Sequence, residues 1–410
     1  VGRSTNCDFD YIEIFGSMYG FKIEDSTYVN ISNSYFHTKA FRIMGNRIDY
    51  WATHEIYNCS VLSKPILFGK NLKNQNIDGS NYGQVILVNS SDTNVSGGVF
   101  DSAHVAISLG FCDNCTIQDL SAYDTSGRTI YIEGSNECGV RNVYIDEVVN
   151  DAIHLIHSHN CSVYDSCFER PWEGVNLYNT TDCRVYNNTM IDVYYGVSIN
   201  SSNRTRTYRN IIYNGHFGVS TGNSHELEID NNEVYNEDGI GLNLQSTTES
   251  NVTGNSIYNC NEYGVVLDPD CHDNMLYNNE IGYDNGVNAV DNGSSNNWDN
   301  GSLGNWWSDY GGSGQYDVPG TAGAIDYYPM VLLRIHLPTF ERPSEINYEE
   351  GTPEIMLSWE VTDYYPGYYT LYLDGTAFSS GPLSAEGATS FLFSVSGHQV
   401  GSYEYTLEIS

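Results

Sequence analysis

Two short stretches carry side chains that could do chemistry. In HSHNCSV, residues 157–163, His157, His159 and Cys161 fall close together. Imidazole and thiolate are the ligands that zinc and copper take. In DPDCHDN, residues 268–274, Asp268, Asp270, His272 and Asp273 crowd one segment. Their oxygens suit calcium, and a carboxylate beside an imidazole suits proton transfer. The arginines Arg128, Arg141 and Arg170, or a histidine, are the other candidates for a catalytic base. No residue is assigned a catalytic role from the sequence. Cys161 also recurs: Cys115, Cys138, Cys161 and Cys183 stand 23, 23 and 22 residues apart. A recurring cysteine is a repeat position before it is a ligand, so the repeat comes first.

CTIQDLSAYDTSGRTIYI (115–132), CGVRNVYIDEVVNDAIHL (138–155), CSVYDSCFERPWEGVNL (161–177) and CRVYNNTMIDVYYGVSI (183–199) align with one another. Each has a short β-rich run, a polar turn and an apolar-x-apolar strand. That strand supplies Ile107/Leu109, Ile130/Ile132, Ile153/Leu155, Val175/Leu177 and Val197/Ile199, then Val219, Ile240 and Val265/Leu267. Period-two alternation bounded by Asn, Asp, Gly and Ser means strands and turns, not helices. A coil of three short strands consumes about 22 residues, and stacked coils make a solenoid. The fold class is therefore all-β. About 12 coils fit between Tyr28 and Val290, giving a rod of about 55–60 Å at the spacing of paired strands.

In that frame the cysteines stack. Each precedes an inward residue by two: Ile117, Val140, Val163 and Val185. Thr93, Arg206 and Leu227 are expected in the same slot. Neighbouring coils bring such Cα atoms to about 5 Å, inside the disulfide window. Pairs 115–138 and 161–183, a ladder of free thiols, and a metal site all stay open, although in-register stacking holds the Cβ atoms slightly too far apart for a bond. His154 should point outward between Ile153 and Leu155, and His157 and His159 should face solvent.

The chain has 17 basic and 52 acidic residues, net −35. Clustered basic residues are missing, so nucleic acid is not an expected partner. No apolar run is long enough for a membrane span. Of the asparagines, 13 sit in N-x-S/T sequons: Asn30, Asn58, Asn89, Asn94, Asn114, Asn160, Asn179, Asn187, Asn200, Asn203, Asn251, Asn292 and Asn300. With ten cysteines, this points to an extracellular or cell-surface glycoprotein. Asp101, Asp124, Asp146, Glu169 and Asp192, continued by Asn214, Asn236 and Asn259, read as one outer column that would attract calcium. The repeated tyrosines, among the 34 in the chain, read as ladders along the stack.

The strand starts YGVSI, FGVST and YGVVL and the turns NNTM, NNEV and NNEI resemble right-handed parallel β-helix repeat proteins, specifically the secreted NosD-like group common among archaeal surface proteins. NNWDNGSLGNWWSDYGG, 296–312, is similar to the Trp/Tyr-rich segment that closes the helix in that group, here extending over 296–330. The resemblance covers residues 1–335 and implies a copper-handling role as one alternative. YGVVLDPDCHDN, 263–274, loosely resembles the Tyr-Gly…Asp-Pro-His-Asp motif of alginate epimerases and lyases, with the aspartate and histidine pushed apart; it also aligns with the ordinary turn LGFCDNC, 109–115. The hydrolase and lyase signatures of this fold, a Gly-His-Gly with Arg-x-Lys or a paired arginine motif, are not found in the sequence. ERPW, 169–172, holds a single arginine.

Near Pro338 the composition changes. The runs IMLSWEVTD, YYTLYLDG, SFLFSVSG and YEYTLEI read as a β-sandwich over 338–410, resembling immunoglobulin-like modules, with Trp359 as core anchor and the last strand missing at Ser410. The first residues already read as coil sequence. Two open ends suggest head-to-tail assembly. The expectation is a structural or adhesive surface protein needing no cofactor, partnered by copies of itself or by other surface proteins and glycans. A polysaccharide-active enzyme or carbohydrate-binding protein, using calcium, is the alternative.

Overall fold

The computed structural model describes residues 1–16, 20–284, 286–331, 339–340, 356–362, 368–374, 376–382, 388–394 and 405–409. The chain divides into two compact units, Val1–Leu332 and Leu333–Ser410.

The first unit is a parallel β-helix. A typical coil has a first strand Ser162–Tyr164, a second strand Cys167–Glu169 and a third strand Glu173–Tyr178. Third strands assemble a sheet of 14 strands. Its inward residues run in register: Ile107, Ile130, Ile153, Val175, Val197, Val219, Leu242, Val265 and Ala289. Each is fully removed from water. The slot expected for Ile240 belongs to Leu242; Ile240 pairs with Phe217 two residues earlier and is half-exposed. First and second strands form the other large sheet.

The turn between first and second strands explains the asparagine doublets. The first residue of each doublet takes a left-handed backbone: Asn187 at φ 54°, Asn231 at 54° and Asn278 at 58°. Asparagine tolerates that region better than most residues. The second residue turns inward. Asn188, Asn210, Asn232, Asn255, Asn279 and Asn305 make a buried ladder. Each Oδ1 accepts the backbone N–H of the ladder residue before it, at 3.0–3.1 Å within the ladder. Each amide nitrogen donates back to a carbonyl of the preceding coil, as Asn232 does to Thr207 at 2.9 Å. The ladder satisfies backbone groups that a bend would otherwise leave unpaired in the core.

At the C-terminal end, Trp298 and Trp307 fill the open coil and are almost wholly buried. Their indole N–H groups donate to Asp291 at 2.9 Å and Asp326 at 3.0 Å. Tyr316 stacks on Trp307 at 4.2 Å.

The N-terminal end departs from a uniform rod. A two-residue hairpin at Leu62 and Ser63, with φ of 49° and 65°, reverses the chain. The strand Lys64–Lys70 therefore runs antiparallel to Ser60–Val61. The earlier coils have their own core, including Val29, Ile31, Phe36, Phe41, Ile43 and Trp51. That core continues onto the outer face of the third-strand sheet through Ile86, Val88 and Tyr131. Buried Gln84 joins the two, accepting from the Phe41 N–H at 3.0 Å and donating to the carbonyls of Phe41 and Val105 at 2.6 and 2.9 Å.

The described residues of the second unit form two three-stranded antiparallel sheets. One comprises Thr339–Phe340, Met356–Thr362 and Ala388–Ser394, the other Thr376–Pro382, Tyr368–Leu373 and Tyr405–Ile409. Leu371 and Leu407, paired across the second sheet, are buried. The Trp359 side chain lies outside the described residues.

Candidate functional site

A dense set of ionisable groups lies where the N-terminal coils cover the third-strand sheet. Tyr131 and His154 are register partners pointing away from the helix core. The outward direction expected for His154 is right, but its surroundings are not solvent: it is only 4% exposed and Tyr131 2%. The Trp51 indole stacks over Tyr131 at 6.1 Å. Gly110, on the preceding coil, leaves the space the indole occupies, because an added Cβ there would collide with it.

Beneath this cover, Asp151 accepts from Arg128 Nε at 2.9 Å and pairs with His154 Nδ1 at 2.7 Å. Burial pushes the Asp151 carboxyl up, but the hydrogen bond from His154 and the Arg128 guanidinium outweigh it and hold the group below the usual carboxylate range. Burial drives His154 the other way, toward the neutral ring. A neutral ring donating from Nδ1 leaves the Nε2 lone pair buried with no hydrogen-bond partner. Tyr131 donates to Glu133, whose other oxygen pairs with His157 Nδ1 at 2.8 Å. Desolvation raises Glu133, takes Glu173 up to about 7 and lowers His104 to about 4. Acid, base and cation therefore converge, but under a lid of packed side chains.

A second feature is open. The outer face of the second strands forms a groove of about 1040 Å³, lined by Ser121, Tyr144, Cys167, Thr189 and the turn residues Asp119, Asn142, Asp165 and Asn187. Its polar wall is self-satisfied: Asn142 donates to Asp119 at 2.6 Å and Asn187 to Asp165 at 3.2 Å.

The residues singled out in DPDCHDN spread along one turn. Asp268 accepts from the N–H groups of Ser246 and Asp270, both at 3.0 Å, and so ties the turn together. His272 pairs with Asp273 at 2.9 Å on the exposed surface. Among the described residues, three potential ligand atoms converge instead at His225, Glu226 and Glu249, within 4.8 Å of one another. His157 is partly covered, and His159 is exposed and faces Asp182 at 3.4 Å. Neither shares a site with Cys161, which is fully buried.

The acidic column is two interleaved columns. Asp101 pairs with Tyr123, then Asp146 and Glu169 follow in register. Asp124, Glu147, Arg170, Asp192, Asn214, Asn236 and Asn259 sit one residue later, at left-handed corners. Arg170 enters that second column and bonds Asp146 at 2.7 Å and Glu147 at 3.3 Å. A cation of the chain itself thus answers the repulsion between stacked carboxylates. The tyrosines likewise separate into ladders. Tyr164, Tyr186 and Tyr208 stack at 4.9 and 4.8 Å, and Tyr213, Tyr235 and Tyr258 at 5.0 and 5.1 Å.

The cysteine slot holds Thr93, Cys115, Cys138, Cys161, Cys183, Thr205, Leu227, Ser250 and Asn274, two residues after the bridged positions that link the coils. Thr205, not Arg206, continues it; Arg206 lies in the first strand and pairs with Asp230 at 2.6 Å. All four thiols are buried and free. The 13 sequon asparagines are all at least partly exposed; Asn58, Asn89, Asn114, Asn160, Asn179 and Asn187 occupy left-handed corners.

Fold and site together define a parallel β-helix repeat protein whose ionisable cluster is covered and whose outer face is grooved. Residues 120–312 match the family model of NosD, described as a periplasmic copper-binding protein. No curated protein matches the chain. A periplasmic alginate epimerase is similar at 15% identity over 64% of this chain, with a TM-score of 0.40; the chain spans 64% of that protein's length. A hyperthermoactive exopolygalacturonase from Thermotoga maritima is similar at 11% identity, covering 72% of this chain and 84% of that one, with a TM-score of 0.41. The tailspike protein of E. coli bacteriophage HK620, solved with a hexasaccharide, is similar at 11% identity over 100% and 86% of the two chains, with a TM-score of 0.46. Among the described residues no helix is long and apolar enough to cross a membrane.

Proposed function

We propose that this chain is a non-catalytic structural scaffold working outside the cytoplasm, a rigid β-helix whose outer face is its adhesive surface. One observation carries the reading. A cluster able to perform acid–base chemistry, buried Tyr131, Asp151 and His154 with half-covered Arg128, lies where the N-terminal coils cover the sheet, while the amides and carboxylates in the wall of the open groove are bonded to one another. General acid–base catalysis needs the proton-transferring group within reach of substrate. The match to a periplasmic family supports an extracytoplasmic location; attachment at the cell surface, glycosylation at the sequons and head-to-tail assembly are parts of the same proposal. Incubation with alginate, polygalacturonate and neutral glycans, followed by analysis for cleaved or epimerised product, tests it. No product is expected; product that disappears in His154→Gln would overturn the reading.

A second reading, binding of a glycan without turnover, is favoured by the groove of about 1040 Å³ with its row of amides, carboxylates and Tyr144. Such a row offers donors and acceptors to sugar hydroxyls, and the net −35 charge favours neutral glycans over uronates. Retention on an immobilised neutral glycan, lost in Tyr144→Ala, is its expected mark.

A further inference from the structure

Gln84 holds the Phe41 backbone against Val105. The coil carrying Val105 is joined to the next through the Ala106 N–H and the Thr129 carbonyl, at 2.9 Å. Arg42, on the N-terminal strand Phe41–Met44, and Arg128, on the main helix, each stand one residue from these anchored positions. Guanidiniums are thereby brought together from the two sides of the covered interface. Lys39 joins them: burial, then the charges of Arg42, Lys39 and Arg128, hold His104 down at about 4. This gathering of cations runs against the net charge of −35.

The cations are not all answered. Asp151 takes the Arg128 Nε–H at 2.9 Å and also pairs with His154. Among the described residues the terminal nitrogens of Arg128 make no hydrogen bond, and the Arg42 guanidinium makes neither a hydrogen bond nor an ion pair. Burial and the neighbouring Arg128 both lower Arg42 from its ordinary value. Glu133 is occupied by Tyr131 and His157. Glu173, in register with Asp151, is raised to about 7 by burial and carries only part of its charge near neutral pH.

One acceptor completes the set. The His154 Nε2 lone pair is buried without a hydrogen-bond partner, on a side chain only 4% exposed. Burial and the charges of Arg128 and Arg42 press that ring toward its neutral form, against the pull of Asp151. Free donors on two arginines and a buried acceptor on one imidazole describe a ligand that is an anion and still has a proton to give. Arginine forks match tetrahedral oxyanions. Inorganic phosphate keeps a P–OH at neutral pH, whereas sulfate has no proton left.

We propose that this cluster binds inorganic phosphate: Arg42 of the N-terminal coils and the terminal nitrogens of Arg128 hold its oxygens, its P–OH donates to His154 Nε2, and the bound ion ties the N-terminal coils to the main helix. No covalent bond is made or broken. Arg42 and Arg128 are both partly exposed, so the site meets solvent at the rim of the cover. The inference is separate from the scaffold reading, because binding without turnover leaves that reading as it is.

Calorimetric titration of the whole chain with inorganic phosphate at pH 7, in a buffer free of other oxyanions, is the test. One phosphate per chain is expected. Sulfate should bind about ten-fold more weakly or worse, because its oxygen would set a lone pair against Nε2. Arg42→Gln breaks no hydrogen bond of the fold; it should weaken phosphate by about ten-fold or more while circular dichroism stays unchanged. His154→Phe should abolish the preference for phosphate over sulfate. Phosphate should also raise the melting temperature of the parent and not of Arg42→Gln. No binding by the parent, undiminished binding in Arg42→Gln, or equal affinity of the parent for phosphate and sulfate would overturn the proposal. So would galacturonate binding more tightly than phosphate, which would make the site one for a sugar carboxylate.

Discussion

The residues that matter most are buried and ionisable, and burial sets their charge. Glu237 is wholly buried, its carboxyl directed at Gly215, and desolvation raises it to about 8. Asp284, whose carboxylate accepts the Cys260 N–H at 2.7 Å, is raised to about 8 by the same cause. A carboxyl raised in the fold is bound to its proton there. Its contribution is fully present below its ordinary value near 4.5 and is lost as pH climbs through about 8. Glu237→Gln removes that dependence. The melting temperatures of the variant and the parent should therefore be close at pH 4 and diverge in the variant's favour up to pH 8, read by calorimetry across that window. The covered histidines have the opposite sign. His104 is lowered to about 4, so it opposes folding as pH falls below its ordinary 6.5 toward 4. His104→Gln should flatten the acid side of the stability curve. Little of this was legible in the sequence, because a histidine between Ile153 and Leu155 looks the same whether its outer face meets water or Trp51.

At the scale of the coil, the stack is held by ladders as much as by apolar burial. Asn232 accepts from the Asn210 backbone at 3.1 Å and donates to Thr207 at 2.9 Å and Asn255 at 3.0 Å. Asn232→Ala leaves a buried N–H and a buried carbonyl unpaired, each worth about 1–3 kcal/mol. We expect a loss of about 3 kcal/mol in urea unfolding, against under about 1 kcal/mol for Asn231→Gly on the solvent side of the same doublet. The apolar-x-apolar strand revealed the coil because its side chains alternate with period two. Exact registers were harder. Successive inward positions such as Ile107, Ile130, Ile153 and Val175 are separated by 23, 23 and 22 residues, so counting slips by one whenever a turn gains a residue. A slip of one residue put Arg206 in the slot of Thr205 and merged two outer columns into one acidic column, and a slip of two put Ile240 in the slot of Leu242. The doublet's second asparagine was missed because its signal is burial, and sequence composition marks asparagine as a turn residue.

At the scale of the molecule, the decisive feature is the reversal at Leu62 and Ser63, which brings the N-terminal coils onto the outer face of the main solenoid. Neither residue is the Gly or Asn usual at a two-residue hairpin, and no pattern in the sequence announces it. The β-helix class of the first unit was readable from the repeat. Docking of the N-terminal coils rests on the fit of Trp51 over Gly110 and Tyr131. Gly110→Val should push the indole out, and limited proteolysis should then cut within residues 41–62 while the remaining coils resist.

That covered interface also decides between a scaffold and a catalyst, and hydrogen–deuterium exchange measures it directly. Peptides covering 41–54 and 128–157 should exchange as slowly as those covering 175–199, which lie in uncovered coils, and addition of a glycan should leave them unchanged. Rapid exchange confined to 41–54 and 128–157, slowing on addition of a uronate polymer, would show a cover that opens onto substrate and would contradict the account.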